Sequence, residues 1–328
     1  MQNVQINDRP KISDVNILYL LCMGFFVIGG EIIRIINPPS LSYGPKMLLI
    51  TATQLLFVFL PVAAFIYIKK INIKSCLRIK RISFTNLLIS CGIMIFAIPI
   101  TAFLNFIAIF ILKYYGKLHS SPIFPSETLL QLMINLTVIA VVPALFEELL
   151  CRGVIMRAYE STGRMGAILI SSLFFALLHR DLQSFIGTFL LGVVIAYIVY
   201  KTDSIFAGMA AHFTNNGLVI ILTFVLFKIQ ELIRDTFPDF AQQIERESQN
   251  ANIYISTEQM ITTFLLLGGI AFFCSIAFTG LILLLNHTTK DITKSIDTTT
   301  YIKHERVSYL PLIVSFGLVI YSYYLQLI

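Results

Sequence analysis

Residues 87–112 read LLISCGIMIFAIPITAFLNFIAIFIL and contain no Asp, Glu, Lys or Arg. A helix of about 20 apolar residues crosses a hydrocarbon core of about 30 Å, so this stretch is long enough to span a bilayer. A membrane strand needs only about 10 residues of alternating character, whereas this run is apolar throughout. The stretch therefore predicts a transmembrane helix.

The same pattern recurs along the chain. Of its 328 residues, 57% are hydrophobic and 13% are charged, and the mean hydropathy is +0.82, which lies outside the range of soluble proteins. We predict an all-α, polytopic transmembrane helical bundle of eight or nine membrane helices. Besides residues 87–112, five further charge-free runs and three less clean ones are predicted spans: Met47–Ile68, Leu182–Tyr200, Ser204–Phe227, Ile261–Leu285 and Tyr309–Ile328, then Asn16–Ile33, Thr128–Ala158 and Met165–His179.

The distribution of charge predicts the orientation. The segment from Lys69 to Arg81 carries many cations and no acid, so the positive-inside rule places it in the cytoplasm. Nine spans then put the amino terminus in the cytoplasm and the carboxyl terminus outside, in a plasma membrane. We interpret the net charge of +6 as membrane orientation and predict membrane lipid, but no nucleic acid, as a partner. The five cysteines form no CxxC pair and indicate neither a disulfide framework nor a thiolate metal site.

The polar residues divide the chain into three parts. We predict amino-terminal helices and loops over residues 1–127, a core that holds the intramembrane ionisable groups over 128–227, and carboxyl-terminal helices over 228–328. The last part includes a predicted external loop at 228–259 and a cytoplasmic loop at 286–308. The sequence contains no internal repeat that would indicate a different division.

Three consecutive predicted spans carry ionisable groups at membrane depth. The segments are FEELLCR at 146–152, FALLH at 175–179 and HFTNN at 212–216. Burying such a group in a bilayer costs about 2.5 to 3.5 kcal/mol on insertion scales, so a cluster of them indicates pairing or function.

The spacing within these segments predicts which side chains meet. Residues four apart share a helix face, so Glu148 can reach Arg152, and His212 points the same way as Asn216. Glu147 and Glu148 differ by about 100° around the helix, and we expect that they cannot both face one partner. Glu147 is then the carboxylate left for the bundle interior. A rise of about 1.5 Å per residue places Glu147, His179 and His212 at similar depths, about 15 to 18 Å from the nearest turns.

These residue types together predict hydrolysis of a peptide bond. A Glu and His pair can remove a proton from water, while a His and an Asn can donate hydrogen bonds to the oxyanion that forms on an attacked carbonyl. Alternatively, Glu147, His179 and His212 could be the three protein ligands of a divalent metal such as zinc, with water in the open position. The His-Glu-x-x-His pattern that would favour the metal is absent.

The three segments resemble the motifs of the CAAX-processing and bacteriocin-processing (CPBP, or Abi) family of intramembrane proteases. The matching patterns are Glu-Glu-x-x-x-Arg, Phe-x-x-x-His and His-x-x-x-Asn, in that order, over about residues 128–226. The resemblance implies that Glu147 and His179 activate water and that His212 and Asn216 stabilise the oxyanion. It also implies that Glu148 and Arg152 are the supporting structural pair of the first motif. We expect Phe175 to have a supporting role in the core, packed beneath the histidine.

The sequence therefore predicts an intramembrane endopeptidase that cleaves a membrane-associated, lipid-anchored or small secreted peptide. Eukaryotic members of the resembled family cleave prenylated CAAX tails, and bacterial members resemble peptide-maturation and bacteriocin-immunity proteins. One alternative is a non-catalytic immunity or scaffolding protein that keeps the motif as a structural network. A second is a transporter or proton-coupled channel, which should show broken helices repeated in its two halves. Individually, Glu147 could also be a snorkelling group at a helix end, and His179 an interfacial residue.

Overall fold

The computed structural model describes residues 9–36, 41–113, 126–243, 257–292 and 307–327. Across these residues the chain is 87% helical and contains no strand, which confirms the predicted all-α class. Each of the nine predicted spans coincides with a helix. Seven helices are long and apolar enough to cross a membrane, and two are shorter apolar helices, Arg164–Leu178 and Leu310–Tyr324.

Ten helices are numbered here in chain order, with uninterrupted runs counted as one helix. They are α1 (Ile12–Ile36), α2 (Tyr43–Ile68), the short α3 (Ile73–Cys76), α4 (Phe84–Leu112), α5 (Leu129–Thr162), α6 (Arg164–Leu178), α7 (Phe185–Thr202), α8 (Ile205–Thr236), α9 (Thr257–Thr288) and α10 (Leu310–Leu327).

Helix α5 is not wound uniformly. Its segments Leu136–Val141 and Leu149–Ile155 are π-helical, and such segments are often found at functional sites. Pro143 follows the first segment and has no N–H to donate to the carbonyl of Ile139 four residues earlier. Asn216 of α8 donates to that carbonyl from Nδ2 at 3.0 Å. The irregular backbone of α5 thus provides an attachment point for α8.

The connection between α2 and α4 packs against the second π-helical segment. A Cβ atom added to Gly153 would lie 2.5 Å from Leu77 Cδ2, so a larger residue would require the buried Leu77 side chain to move. The Cys76 thiol also donates to the Gly153 carbonyl, with 3.5 Å between sulfur and oxygen. Gly153 is therefore a close-packing site.

A buried ion cluster joins three turns at the same end of the bundle. Arg78, which is 1% exposed, contacts Glu160 at the end of α5 and donates from Nε to Asp203 Oδ1 at 2.8 Å, between α7 and α8. Lys80 contacts the other oxygen of Asp203, and Arg157 lies 2.7 Å from Glu160. Burial raises the pKa of Asp203, but Arg78 and Lys80 outweigh it and hold that pKa below its ordinary value of 3.8.

Replacing Arg78 by Met should lower the free energy of unfolding by about 3 to 5 kcal/mol, because two buried carboxylates lose their shared partner. The matched control is Lys80→Met. It removes the second cation of Asp203, but the Lys80 side chain is 59% exposed, so we expect a loss below about 1 kcal/mol. Thermal unfolding of both variants in detergent provides the comparison.

The difference in stability between the wild type and Arg78→Met should also depend on pH. Because the pKa of Asp203 is lower in the folded protein than its ordinary value, the stabilisation is present above about pH 4. It is lost as the pH falls through the folded pKa, so the wild type and Arg78→Met should converge in acid. Equal losses of stability in Arg78→Met and Lys80→Met would contradict this role of the cluster. So would a stability difference between the wild type and Arg78→Met that widens in acid.

Candidate active site

The structure brings together the ionisable residues that the sequence distributes over three helices. Glu147 and Glu148 lie on α5 just before its second π-helical segment, His179 caps the end of α6, and His212 lies on α8. Glu147 is 5% exposed and His212 is 3% exposed, so Glu147 is a buried carboxylate and does not snorkel to the surface. The His179 side chain is 36% exposed, which makes it the most accessible of these groups.

One oxygen of Glu147 faces both histidines. The distance from Glu147 Oε2 is 3.9 Å to His179 Nε2 and 4.0 Å to His212 Nε2. These distances exceed the limit of about 3.2 Å for a direct hydrogen bond, but a single water molecule can bridge each pair. Among the described residues, Oε2 is buried and has no hydrogen-bonding partner, whereas Oε1 accepts from Gln54 Nε2 at 2.9 Å.

The hydrogen bonds at Nδ1 determine which nitrogen of His179 carries the proton. His179 Nδ1 lies 2.9 Å from the carbonyl oxygen of Phe175, which can only accept, so Nδ1 carries the hydrogen. Phe175 lies in the last turn of α6, where carbonyls have no following helical N–H, and the His179 ring satisfies one of them. In the neutral ring, Nε2 is then left with its lone pair towards Glu147.

The proton of His212 is also placed on Nδ1, in this case by a charged partner. Its Nδ1 lies 3.0 Å from Glu148 Oε1, and the same oxygen accepts from Arg152 at 2.8 Å. Glu148 and Arg152 are both fully buried, which confirms the predicted ion pair. A carboxylate paired with arginine accepts the Nδ1 hydrogen, so Nε2 of neutral His212 also presents a lone pair.

His212 therefore corrects one expectation from helix geometry. The prediction that Glu147 and Glu148 cannot both face one partner is wrong for this residue, whose two nitrogens lie 4.0 Å from Glu147 Oε2 and 3.0 Å from Glu148 Oε1. An imidazole ring has nitrogens on opposite edges, so it can lie between the carboxylates of two adjacent residues that point in different directions. Glu148 thus supports His212 as well as Arg152.

Phe175 fixes the positions of the rings around it. It makes edge-on contacts with the rings of His179 and His212, at centroid distances of 4.8 and 5.5 Å, and the guanidinium carbon of Arg152 lies 4.6 Å from its centroid. Its position beneath the histidine, buried to 3% exposure, is the one predicted. Gly208 belongs to none of the sequence motifs, yet a Cβ added there would lie 3.0 Å from Glu148 Oε2 and 2.5 Å from Val199.

Asn216 lies one turn beyond His212, but its hydrogen-bonding partners differ from those of the histidines. Its Nδ2 donates to the carbonyl of Ile139, and its Oδ1 accepts from Asn215 at 2.8 Å. The amide nitrogen carries two hydrogens, and the bond to Ile139 uses one of them. Asn216 therefore links α8 to α5 in addition to any part it takes in chemistry.

The donor atoms at Glu147, His179 and His212 have the chemistry of a zinc site but not its spacing. Histidine ligands commonly have Nδ1–H held by a carbonyl or carboxylate, as here. Ligands about 2.1 Å from one tetrahedral ion lie about 3.4 Å apart, less than the 3.9 and 4.0 Å observed. Within the described ranges, no group of three His, Cys, Asp or Glu side chains has the arrangement of a metal site.

Comparison with known proteins finds a family to which the segment holding this site is similar. Residues 129–218 match the family described as "Type II CAAX prenyl endopeptidase Rce1-like". The segment is therefore similar to this family. The match contains the three motif segments and confirms the resemblance to the CPBP proteases. It does not extend to Gln54, the α2 residue that contacts Glu147.

One curated relative matches over a similarly limited region. The chain is 32% identical over 84 residues to a protein of Bacillus subtilis (strain 168) named "Putative membrane peptidase YdiL". The aligned segment is 25% of this chain and 34% of that protein, so the chain matches about a third of the relative's length. No solved structure gives a significant match.

Replacing Glu148 by Gln should lower the free energy of unfolding by about 3 to 5 kcal/mol, because Arg152 is left as a buried charge. The double variant Glu148→Leu with Arg152→Met removes both charges and should recover most of that loss. Thermal unfolding measures the stability of each variant. A double variant no more stable than Glu148→Gln would contradict a buried, charge-compensated pair.

Proposed function

We propose that this multi-pass membrane protein is an endopeptidase that holds one water molecule between Glu147 Oε2 and His179 Nε2, both of which accept from it, with His212 Nε2 beside the same oxygen of Glu147. The supporting observation is the pair of 3.9 and 4.0 Å separations around a buried carboxylate oxygen that has no hydrogen-bonding partner among the described residues. A group of this kind is costly to bury, and a bound water satisfies it.

In this mechanism Glu147 is the general base. As the water oxygen forms a bond to the carbonyl carbon of the substrate, a water proton moves to Glu147 Oε2 or to the neighbouring His179 Nε2. The same proton is then delivered to the leaving amine nitrogen as the carbon–nitrogen bond breaks. The bare Nε2 of His179, facing Glu147 and partly exposed, suits this transfer.

The oxyanion would be stabilised by Asn216 and by protonated His212. The remaining amide hydrogen of Asn216 can donate to it directly. His212 can donate from Nε2 only as imidazolium, because the hydrogen on Nδ1 is engaged by Glu148. The carboxylate of Glu148 lies where it would stabilise that positive charge.

The proposed substrate is a membrane-associated peptide or lipid-anchored protein. The partly exposed His179 side chain marks the accessible side of the site, from which we infer that the peptide approaches. The matching family is named for cleavage of prenylated CAAX proteins, so a carboxyl-terminal peptide with a farnesylated cysteine is the first substrate to test. The same peptide without the lipid tests the alternative of a small unmodified peptide.

Glu147→Gln and His179→Ala should each lower kcat by about 100- to 10,000-fold, because proton transfer loses a participant. Asn216→Ala should lower kcat by about 100- to 1,000-fold through loss of an oxyanion donor. The measurement is cleavage of internally quenched peptides, farnesylated and unmodified, by the protein in lipid nanodiscs. His287→Ala is the matched control, because His287 is exposed on α9.

Full cleavage by Glu147→Gln and His179→Ala at normal expression would overturn the proposal. A wild-type protein that binds either peptide but cleaves neither would favour the non-catalytic immunity or scaffolding role.

Removal of divalent metal should leave the rate unchanged, because the proposed base and proton carrier are side chains. The measurement is peptide cleavage after dialysis against EDTA, and then after zinc is restored. Activity that is lost with the chelator and regained with zinc would instead assign Glu147, His179 and His212 as metal ligands.

A further inference from the structure

We infer that Gln54 of α2 is a positioning residue for Glu147, an inference that rests on the proposed endopeptidase function. Gln54 lies outside the Rce1-like segment at 129–218, and none of the sequence motifs includes it. It donates from Nε2 to Glu147 Oε1 at 2.9 Å. Glu147 therefore has one oxygen held by α2 and the other facing the two histidines.

The chemistry of the amide fixes the direction of this hydrogen bond. The NH2 group of Gln54 can only donate, and the oxygen that it contacts can only accept. A flipped amide would place Gln54 Oε1 against a carboxylate oxygen, which is unfavourable, so the orientation is determined by its partner. A proton on Glu147 is consequently confined to Oε2, the oxygen that faces His179 and His212.

Helix α2 is held in register with α5 by contacts on both sides of this bond. The Tyr43 hydroxyl donates to Asn135 Oδ1 at 2.8 Å, and the rings of Phe59 and Phe146 lie 4.8 Å apart. The two helices therefore run in the same direction, with Gln54 beside Glu147. The π-helical segment Leu55–Phe59 begins directly after Gln54, just as another begins after Glu148 on α5.

The carbonyl oxygen of the Gln54 amide, Oε1, is available for a further hydrogen bond. Gln54 Oε1 is buried and has no hydrogen-bonding partner among the described residues. A buried acceptor of this kind costs about 1 to 3 kcal/mol unless it is satisfied. It is next to the proposed base, and it can accept a hydrogen bond from a water molecule or from a substrate N–H.

The test compares two variants of the same size as glutamine. Gln54→Met keeps the side-chain volume but removes the amide group. Gln54→Glu keeps the side-chain shape but loses both N–H donors. We expect each to lower kcat for the quenched peptide by about 10- to 100-fold, with KM changed less than about threefold. Thr53→Val is the matched control, because among the described residues the Thr53 hydroxyl bonds within its own helix, to the carbonyl of Ile50 at 2.8 Å.

The kcat and KM values separate positioning from packing. If Gln54 only filled space, Gln54→Met would retain the wild-type kcat, and that result would overturn the inference. A fall in melting temperature that accounts for the lost activity would do the same.

An infrared measurement makes the inference independent of activity. The carboxylate band of Glu147, identified by its loss in Glu147→Gln, should shift in Gln54→Met and stay in place in Thr53→Val. If the wild type cleaves no peptide but the band shifts, the proposed function fails while the contact between Gln54 and Glu147 stands. An unshifted band would overturn the contact itself.

Discussion

The hydrogen bonds on Glu148 Oε1 connect the structural and the chemical parts of this protein. That oxygen accepts from Arg152 on its own helix and from His212 on α8, in a position with no exposure to solvent. An unpaired charge there would be strongly destabilising, and Arg152 compensates it at 2.8 Å. The ionised carboxylate in turn fixes the ring of His212 with Nε2 towards Glu147. The proposed water-binding position depends on this pair, although Glu148 itself does not face it.

Irregular helical geometry allows adjacent carboxylates to serve different partners. Glu147 and Glu148 end a regular stretch of α5, and a π-helical segment begins at Leu149. Glu147 is held from α2 by Gln54, and Glu148 from α8 by His212. Asn216 binds the carbonyl of Ile139, which Pro143 leaves without its usual helical donor. Two helices, α2 and α8, are thus fixed to α5 through three polar contacts.

The sequence predicts the spans well because their physical signal is strong. A run such as residues 87–112 has few other stable solutions in lipid, and the pair of Glu148 and Arg152 follows from the four-residue spacing alone. The motif residues Glu147, His179 and His212 are likewise conspicuous, because ionisable groups are rare in apolar helices. We expect these residues to meet because an ionisable group buried in lipid without a partner costs free energy, and the nearest partners lie on neighbouring helices.

Other features could not be predicted from one chain. Gln54 carries no charge and belongs to no spaced pattern, so its contact with Glu147 depends on the register between α2 and α5. The position of His212 between two glutamates depends on the orientation of its ring, which helix periodicity does not describe. Gly208 has a role only because Glu148 and Val199 approach it closely. Each of these depends on tertiary packing, which brings together residues far apart in sequence.

The central claim is that Glu147 and the two histidines surround one water molecule. The most direct test is a structure determined by electron cryomicroscopy in lipid nanodiscs, at a resolution that shows ordered water. The account predicts one water density within about 3.2 Å of Glu147 Oε2 and of at least one histidine Nε2. A Glu147 side chain turned towards lipid, or a carboxylate in direct contact with an imidazole so that no water fits between them, would contradict it.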